Sequence, residues 1–79
     1  MPRICTFYGI AIWMFYDEAV HVGRRHFHAR YADHEASIDF DAIAVLAGGL
    51  PPRALRLVFE WARGHQAELA ANWDRARRH

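Results

Sequence analysis

Two histidines and an arginine alternate with apolar residues in the segment His-Phe-His-Ala-Arg-Tyr at positions 26–31. Side chains two residues apart point to the same face of an extended strand, so His26, His28 and Arg30 are expected on one side of a strand. Imidazole moves a proton or binds a metal near neutral pH, and a guanidinium holds an anion such as phosphate. This segment is therefore the first candidate for a functional site.

The residues that follow predict a hairpin that brings carboxylates to these histidines. A four-residue turn would lead into a second strand at residues 36–40. The register that keeps the apolar residues on one face predicts three neighbouring cross-strand pairs: His26–Asp41, Phe27–Phe40 and His28–Asp39. Because the apolar residues are expected to occupy the core face, we expect His26 and His28 to be partly exposed on the polar face.

A histidine beside an aspartate is suited to general acid–base chemistry, since the carboxylate fixes the imidazole tautomer. With Arg30 to hold a phosphate, the group His26, His28, Arg30 and Asp39 is a candidate catalytic site of a small RNA-directed enzyme. The residues leave enzymatic activity open, and we expect no cofactor.

A metal site is a further alternative, in which His21 joins His26 and His28. The sequence contains neither a cysteine pair nor a helical histidine pair with a glutamate, so this signal is weak. The more common explanation of such a strand is a solvated sheet face with hydrogen bonds between histidine and aspartate.

These residues must be positioned by strands and helices, and the sequence predicts that those elements form one α+β domain over residues 1–79. We expect a small antiparallel sheet of three to four strands at about residues 6–47, packed on a long or kinked C-terminal helix at about residues 51–77. The apolar segment 6–16 reads as one strand covered on both faces.

The helical segment carries apolar residues at helical spacing after two prolines that suit a helix start. Gly64 predicts a kink or a break into two helices. We expect Trp61 to be largely buried between helix and sheet, on a stripe shared with Val58.

The net charge of +1 excludes a general polyanion binder. Four arginines are nonetheless candidates for contacts with nucleic-acid phosphates, namely Arg24, Arg25, Arg53 and Arg56. The more usual explanation of the helical arginines is a solvated face that pairs with Glu60.

The single cysteine, Cys5, excludes an intramolecular disulfide and fits a reducing compartment. The longest apolar run, residues 7–16, is about half the length that a membrane-spanning helix needs. We therefore expect a cytoplasmic protein with no membrane segment. Since a domain this short buries little core, we also expect a small protein partner, a homo-oligomer, or both.

Three groups of residues together form a recognisable pattern along nearly the whole chain. They are Pro2, Ile4, Phe7, Gly9, Ile10, Ile12 and Met14; then His26–Ala29 and Tyr31; then Leu50-Pro51, Arg53-Ala54, Val58, Glu60-Trp61, His65, Glu68-Leu69 and Asn72-Trp73. In this pattern the chain resembles the small bacterial family called domain of unknown function 4160.

The resemblance implies a function as well as a fold. Members of that family often occur beside another small protein, in a gene layout similar to toxin–antitoxin pairs. This implies an interaction module of a type II toxin–antitoxin-like pair. Arg24 and Arg25 stand where the family usually has prolines.

Overall fold

The computed structural model describes residues 3–14 and 24–77, which form a five-stranded antiparallel sheet and two helices. The elements are β1 (Arg3–Phe7), β2 (Ile10–Trp13), β3 (His26–Tyr31), β4 (His34–Asp39), β5 (Ala44–Gly48), α1 (Pro52–Arg63) and α2 (Gln66–Arg77). The strands lie in chain order across the sheet. The α+β class is confirmed, but this part of the chain has five strands rather than three to four.

The segment predicted as one strand over residues 6–16 turns back on itself at Tyr8-Gly9. Tyr8 has φ 49° and Gly9 has φ 77°, and positive φ at both positions is what a two-residue type I′ hairpin loop requires. The prediction was wrong because apolar residues on both sides of the loop hid the turn. Positions 15 and 16 lie outside the described residues.

The hairpin of β3 and β4 keeps the predicted faces but has a different register. The observed pairs are His26–Asp39, Phe27–Ile38 and His28–Ser37. They differ from the predicted pairs by two residues because a two-residue loop at Ala32-Asp33 connects the strands, in place of a four-residue turn. A register shift of two residues leaves every side chain on its own face, so the predicted faces are correct although the predicted pairs are not.

The core lies between one face of the sheet and the two helices. The sheet contributes Ile10, Ile12, Phe27, Ala29, Ala36 and Ile38, and the helices contribute Ala54, Val58, Ala62, Leu69 and Trp73. The α1 residues among them recur every four positions, as an amphipathic helix requires. Neither helix in the described segments is long and apolar enough to cross a bilayer.

The C-terminal segment forms two helices that are separated at Gly64-His65. This is the break that was one of the two predictions for Gly64, and it replaces a continuous long or kinked helix. Gly64 has the right-handed φ of −83°, so the break does not depend on a left-handed glycine. The Gly64 N–H donates to the Trp61 carbonyl and the His65 N–H donates to the Ala62 carbonyl. His65 Nδ1 also donates to the Trp61 carbonyl, at 2.7 Å. These bonds satisfy carbonyls at the end of α1 and close its last turn.

Candidate functional site

Strand alternation puts His26, His28 and Arg30 on one side of β3 and the core residues Phe27 and Ala29 on the other. The partners of the first three on β4 are Asp39, Ser37 and Glu35, respectively. Arg30 lies at the far end of this row and is exposed. The histidines and the arginine therefore share a face, but they span nearly the whole length of β3.

His26 is completely buried, which corrects the expectation that it is partly exposed. Its Nδ1 donates to the Arg24 carbonyl at 3.0 Å, so that ring nitrogen carries the proton. The imidazole also lies against Trp73 of α2, with 5.2 Å between ring centroids. An aromatic residue of the last helix thus packs against His26, a contact that strand alternation could not indicate.

His28 is half-buried, in agreement with the expected partial exposure. Its Nδ1 lies 3.3 Å from the hydroxyl of Ser37, its cross-strand neighbour. The ring also meets His26 edge to face, with 5.2 Å between centroids. The contact with Ser37 links β3 to β4 through polar side chains, and the ring contact joins the two histidines within β3.

Asp39 is buried, and its carboxylate organises the turn after β4. Oδ2 accepts a hydrogen bond from Arg24 Nη1 at 2.8 Å. Oδ1 accepts the N–H groups of Asp41 at 2.8 Å and Ala42 at 3.0 Å.

Burial by itself opposes ionisation of Asp39, but the hydrogen bonds from the Ala42 N–H, the Arg24 guanidinium and the Asp41 N–H outweigh it. The pKa of Asp39 therefore lies below its ordinary value. Both oxygens are held by donors, so the carboxylate is a poor general base and a good structural anchor. Its expected pairing with His28 is replaced by a pairing with His26.

Arg25 forms a second ion pair at the same turn. Its Nε and Nη2 donate to the two carboxylate oxygens of Asp41, at 2.9 and 2.6 Å, and its guanidinium lies 5.1 Å from the centroid of the Phe40 ring. The hydrogen bond to Asp41 raises the pKa of Arg25. Because Arg24 and Arg25 both bind carboxylates of the chain, their charge is already balanced, which weakens their case as phosphate contacts.

Arg53 and Arg56 lie elsewhere, on exposed positions of α1. Arg53 lines a cleft beside Tyr31, the last residue of β3. Arg24 and Arg25 lie at the opposite end of that strand, just before its first residue. Arg56 borders a shallow groove on the outer side of α1 with Leu55 and Phe59. The four candidate arginines therefore do not form one basic patch.

The three-histidine metal site gains no support from the geometry. His21 lies outside the described residues. Within residues 3–14 and 24–77, no group of three or more His, Cys, Asp or Glu side chains is arranged to hold a metal ion.

Two features were missed by sequence reasoning. One is the cleft bordered by Tyr8, Tyr31 and Arg53; the tyrosine–glycine pair at positions 8–9 was the signal for the turn that forms its rim. The other is the exposed outer edge of β5, which follows from the sheet order and could be found only once β5 was known to end the sheet.

The family model described as Domain of unknown function (DUF4160) matches residues 9–74. No curated protein and no solved structure gives a significant match. The matched segment runs from the β1–β2 loop into α2 and includes both histidines of β3. Since this match covers most of the chain, the protein belongs to the DUF4160 family.

Proposed function

We propose that the chain is a protein-interaction module that binds a second small protein through the outer edge of β5. The observation that carries this proposal is the position and composition of that strand. β5 ends the sheet, and no described strand pairs with its outer side. Its sequence, Ala-Val-Leu-Ala-Gly, contains neither a charged residue nor a proline.

Such an edge is unusual for a protein that acts alone. Unpaired backbone N–H and C=O groups at a sheet edge accept an added strand, and isolated proteins usually block them with charges or prolines. Here Ala44, Val45 and Ala47 are exposed, and Val45 keeps 37% of its surface accessible. A bulge at Leu46 interrupts the pairing with β4. A partner strand would gain backbone hydrogen bonds from the edge and apolar contact from these side chains.

We infer that the occupant is an extended apolar segment of the partner in a type II toxin–antitoxin-like pair. The support is twofold: the edge is uncharged and apolar, and the resemblance to the family implies a neighbouring small protein. The proposal assigns neither the toxic nor the protective role to this chain.

The test is co-expression of the chain with the product of the adjacent gene, followed by size-exclusion chromatography with light scattering. The double variant Ala44→Lys/Ala47→Lys adds two charges to the exposed edge, and we expect it to weaken the complex at least tenfold. Ala67→Lys/Ala71→Lys makes the same two changes at exposed positions of α2 and is the matched control. Circular dichroism checks that both variants fold.

A complex that survives the β5 variant, or is lost equally in the α2 control, would contradict docking at β5. A chain that associates only with itself through β5 would contradict the two-protein proposal.

The geometry favours this module over the RNA-directed enzyme. Of the enzyme's candidate residues, His26 is buried against Trp73, Asp39 is held by three donors, and Arg30 lies opposite Glu35 at the other end of β3. These side chains do not converge on one exposed point where a substrate phosphate would bind.

A further inference from the structure

A cleft of about 680 Å³ opens between the β1–β2 loop, the end of β3 and the first turn of α1. Its walls include Tyr8, Ile10, Tyr31, Pro51, Arg53 and Leu57. Tyr31 and Ile10 are cross-strand partners on the core face of the sheet. The cleft therefore lies at the Tyr31 end of β3, whereas His26 begins that strand, and none of its wall residues belongs to β5. Its volume is within the range of sites for small molecules.

The aromatic residues of this cleft are more exposed than core packing explains. Tyr8 is 79% exposed and Tyr31 is 37% exposed; together with Val45 they are the exposed large apolar side chains of the described residues. Tyr8 also occupies a left-handed backbone position with φ 49°, where a bulky side chain is disfavoured. Two tyrosine rings thus flank one opening, where neither is needed to fill the core.

The hairpin loop lies beside the Tyr31 ring. A Cβ atom at Gly9 would lie 3.6 Å from the Tyr31 ring, an ordinary van der Waals distance. The Tyr8 ring meets Phe7 edge to face, with 6.3 Å between centroids. Each ring therefore has a neighbour in the chain and keeps exposed surface on which a planar ligand can stack.

The charge of the cleft points to an anionic ligand. Arg53 is exposed and forms no ion pair with any residue in the described part of the chain. The wall residues include no aspartate or glutamate. A guanidinium offers a planar fork of donors that fits phosphate or carboxylate, and an unpaired guanidinium at the rim of an apolar cleft is free to bind one.

We propose that this cleft binds a planar aromatic ring that carries a phosphate, the chemistry of a free nucleoside monophosphate. The tyrosine rings stack on the base, since stacking on an aromatic side chain tolerates any base. Arg53 binds the phosphate, and Leu57, which is partly exposed, forms an apolar wall. The proposal does not depend on docking at β5.

Isothermal titration of the full chain with each of the four nucleoside 5′-monophosphates tests it. The control ligands are the corresponding nucleosides, which lack the phosphate, and inorganic phosphate, which lacks the ring. We expect at least one monophosphate to bind at least tenfold more tightly than either of these probes. No binding by any monophosphate, or equally tight binding of inorganic phosphate, would overturn the proposal.

Variants locate the site. Arg53→Gln is expected to weaken monophosphate binding about tenfold, because a hydrogen bond to a charged group is lost. Arg56→Gln is the matched control: it removes the same charge one turn farther along α1, outside the cleft, and is expected to leave binding within twofold. Tyr8→Phe is expected to keep binding and Tyr8→Ala to weaken it. Equal effects of the two arginine variants, or no effect of Tyr8→Ala, would overturn the assignment.

Discussion

Asp39 illustrates how the partners of a residue, rather than its type, decide its role. As a buried acid near two histidines it is an obvious candidate for proton transfer. In the structure its carboxylate is held by Arg24 and by the N–H groups of Asp41 and Ala42. The side chain joins the segment before β3 to the turn after β4. Its chemistry is therefore that of an anion kept ionised by donors.

Asp39→Asn is expected to lower the free energy of unfolding by about 1–2 kcal/mol at pH 7, since the ion pair with the partly exposed Arg24 is lost. Because the pKa of Asp39 is lowered in the folded state, its contribution is fully present above the ordinary aspartate pKa. It is lost as the pH falls through the lower folded value. The gap between wild type and variant should therefore narrow below about pH 4.

Urea unfolding at pH values from 7 to 3 measures that gap. Asp41→Asn is the control, because it breaks the exposed pair with Arg25 and is expected to cost under about 1 kcal/mol. A gap that stays constant to pH 3 would show that ionisation of Asp39 does not contribute to stability.

At the scale of elements, turns decide how strands pair. β5 meets β4 so closely at Gly48 that a Cβ there would lie 2.2 Å from the Glu35 carbonyl oxygen. Gly48 also has φ 72°. The N–H of Gly49 donates to the same Glu35 carbonyl, at 3.0 Å. Gly48 is therefore required twice, by its backbone conformation and by the close approach of two strands.

Gly48→Ala is expected to destabilise the fold by about 2–4 kcal/mol, because the left-handed cost of about 1 kcal/mol adds to a backbone clash. Gly49→Ala, at the next position, meets no atom within 4 Å and is expected to be nearly neutral. Gly9→Ala carries only the left-handed cost, since its Cβ would make an ordinary contact with Tyr31. Urea denaturation should show the largest loss of stability for Gly48→Ala, a smaller loss for Gly9→Ala and the smallest for Gly49→Ala. Equal losses at Gly48 and Gly49 would contradict the clash.

Across the whole molecule, Trp61 links α1 to the sheet and to the segment between the two helices. Its ring stacks on Phe7 of β1 and on His65 between the helices, with centroid distances of 5.6 and 4.8 Å. It also meets Phe27 of β3 edge to face at 5.7 Å. The side chain is partly buried and packs against the core, and it lies between helix and sheet as predicted.

Trp61→Ala is expected to cost about 2–3 kcal/mol, somewhat less than a fully buried tryptophan. In a domain of this size that loss lowers the melting temperature by roughly 10–20 °C. Thermal unfolding followed by circular dichroism measures it. Tyr8→Ala truncates an aromatic residue that packs little, and should shift the midpoint by only a few degrees. A Trp61→Ala protein that melts as the Tyr8→Ala protein does would show that Trp61 does not join the layers.

The amino-acid sequence by itself determined the α+β class, the two faces of β3 and β4, and the interruption at Gly64. Each of these depends on local chemistry: alternation in a strand, apolar spacing in a helix, and the low helix propensity of glycine. The same local chemistry grouped His26 and His28 correctly on one face.

Only the tertiary structure decided the register of the β3–β4 hairpin, the turn at Tyr8-Gly9 and the burial of His26. A shift of two residues leaves every face unchanged, so patterning does not distinguish the two registers, and a run that is apolar on both sides of a turn carries no alternation to mark it. His26 is buried against Trp73, which is 47 positions farther along the chain. Contacts of that kind depend on where the helices pack, and local sequence patterns do not specify them.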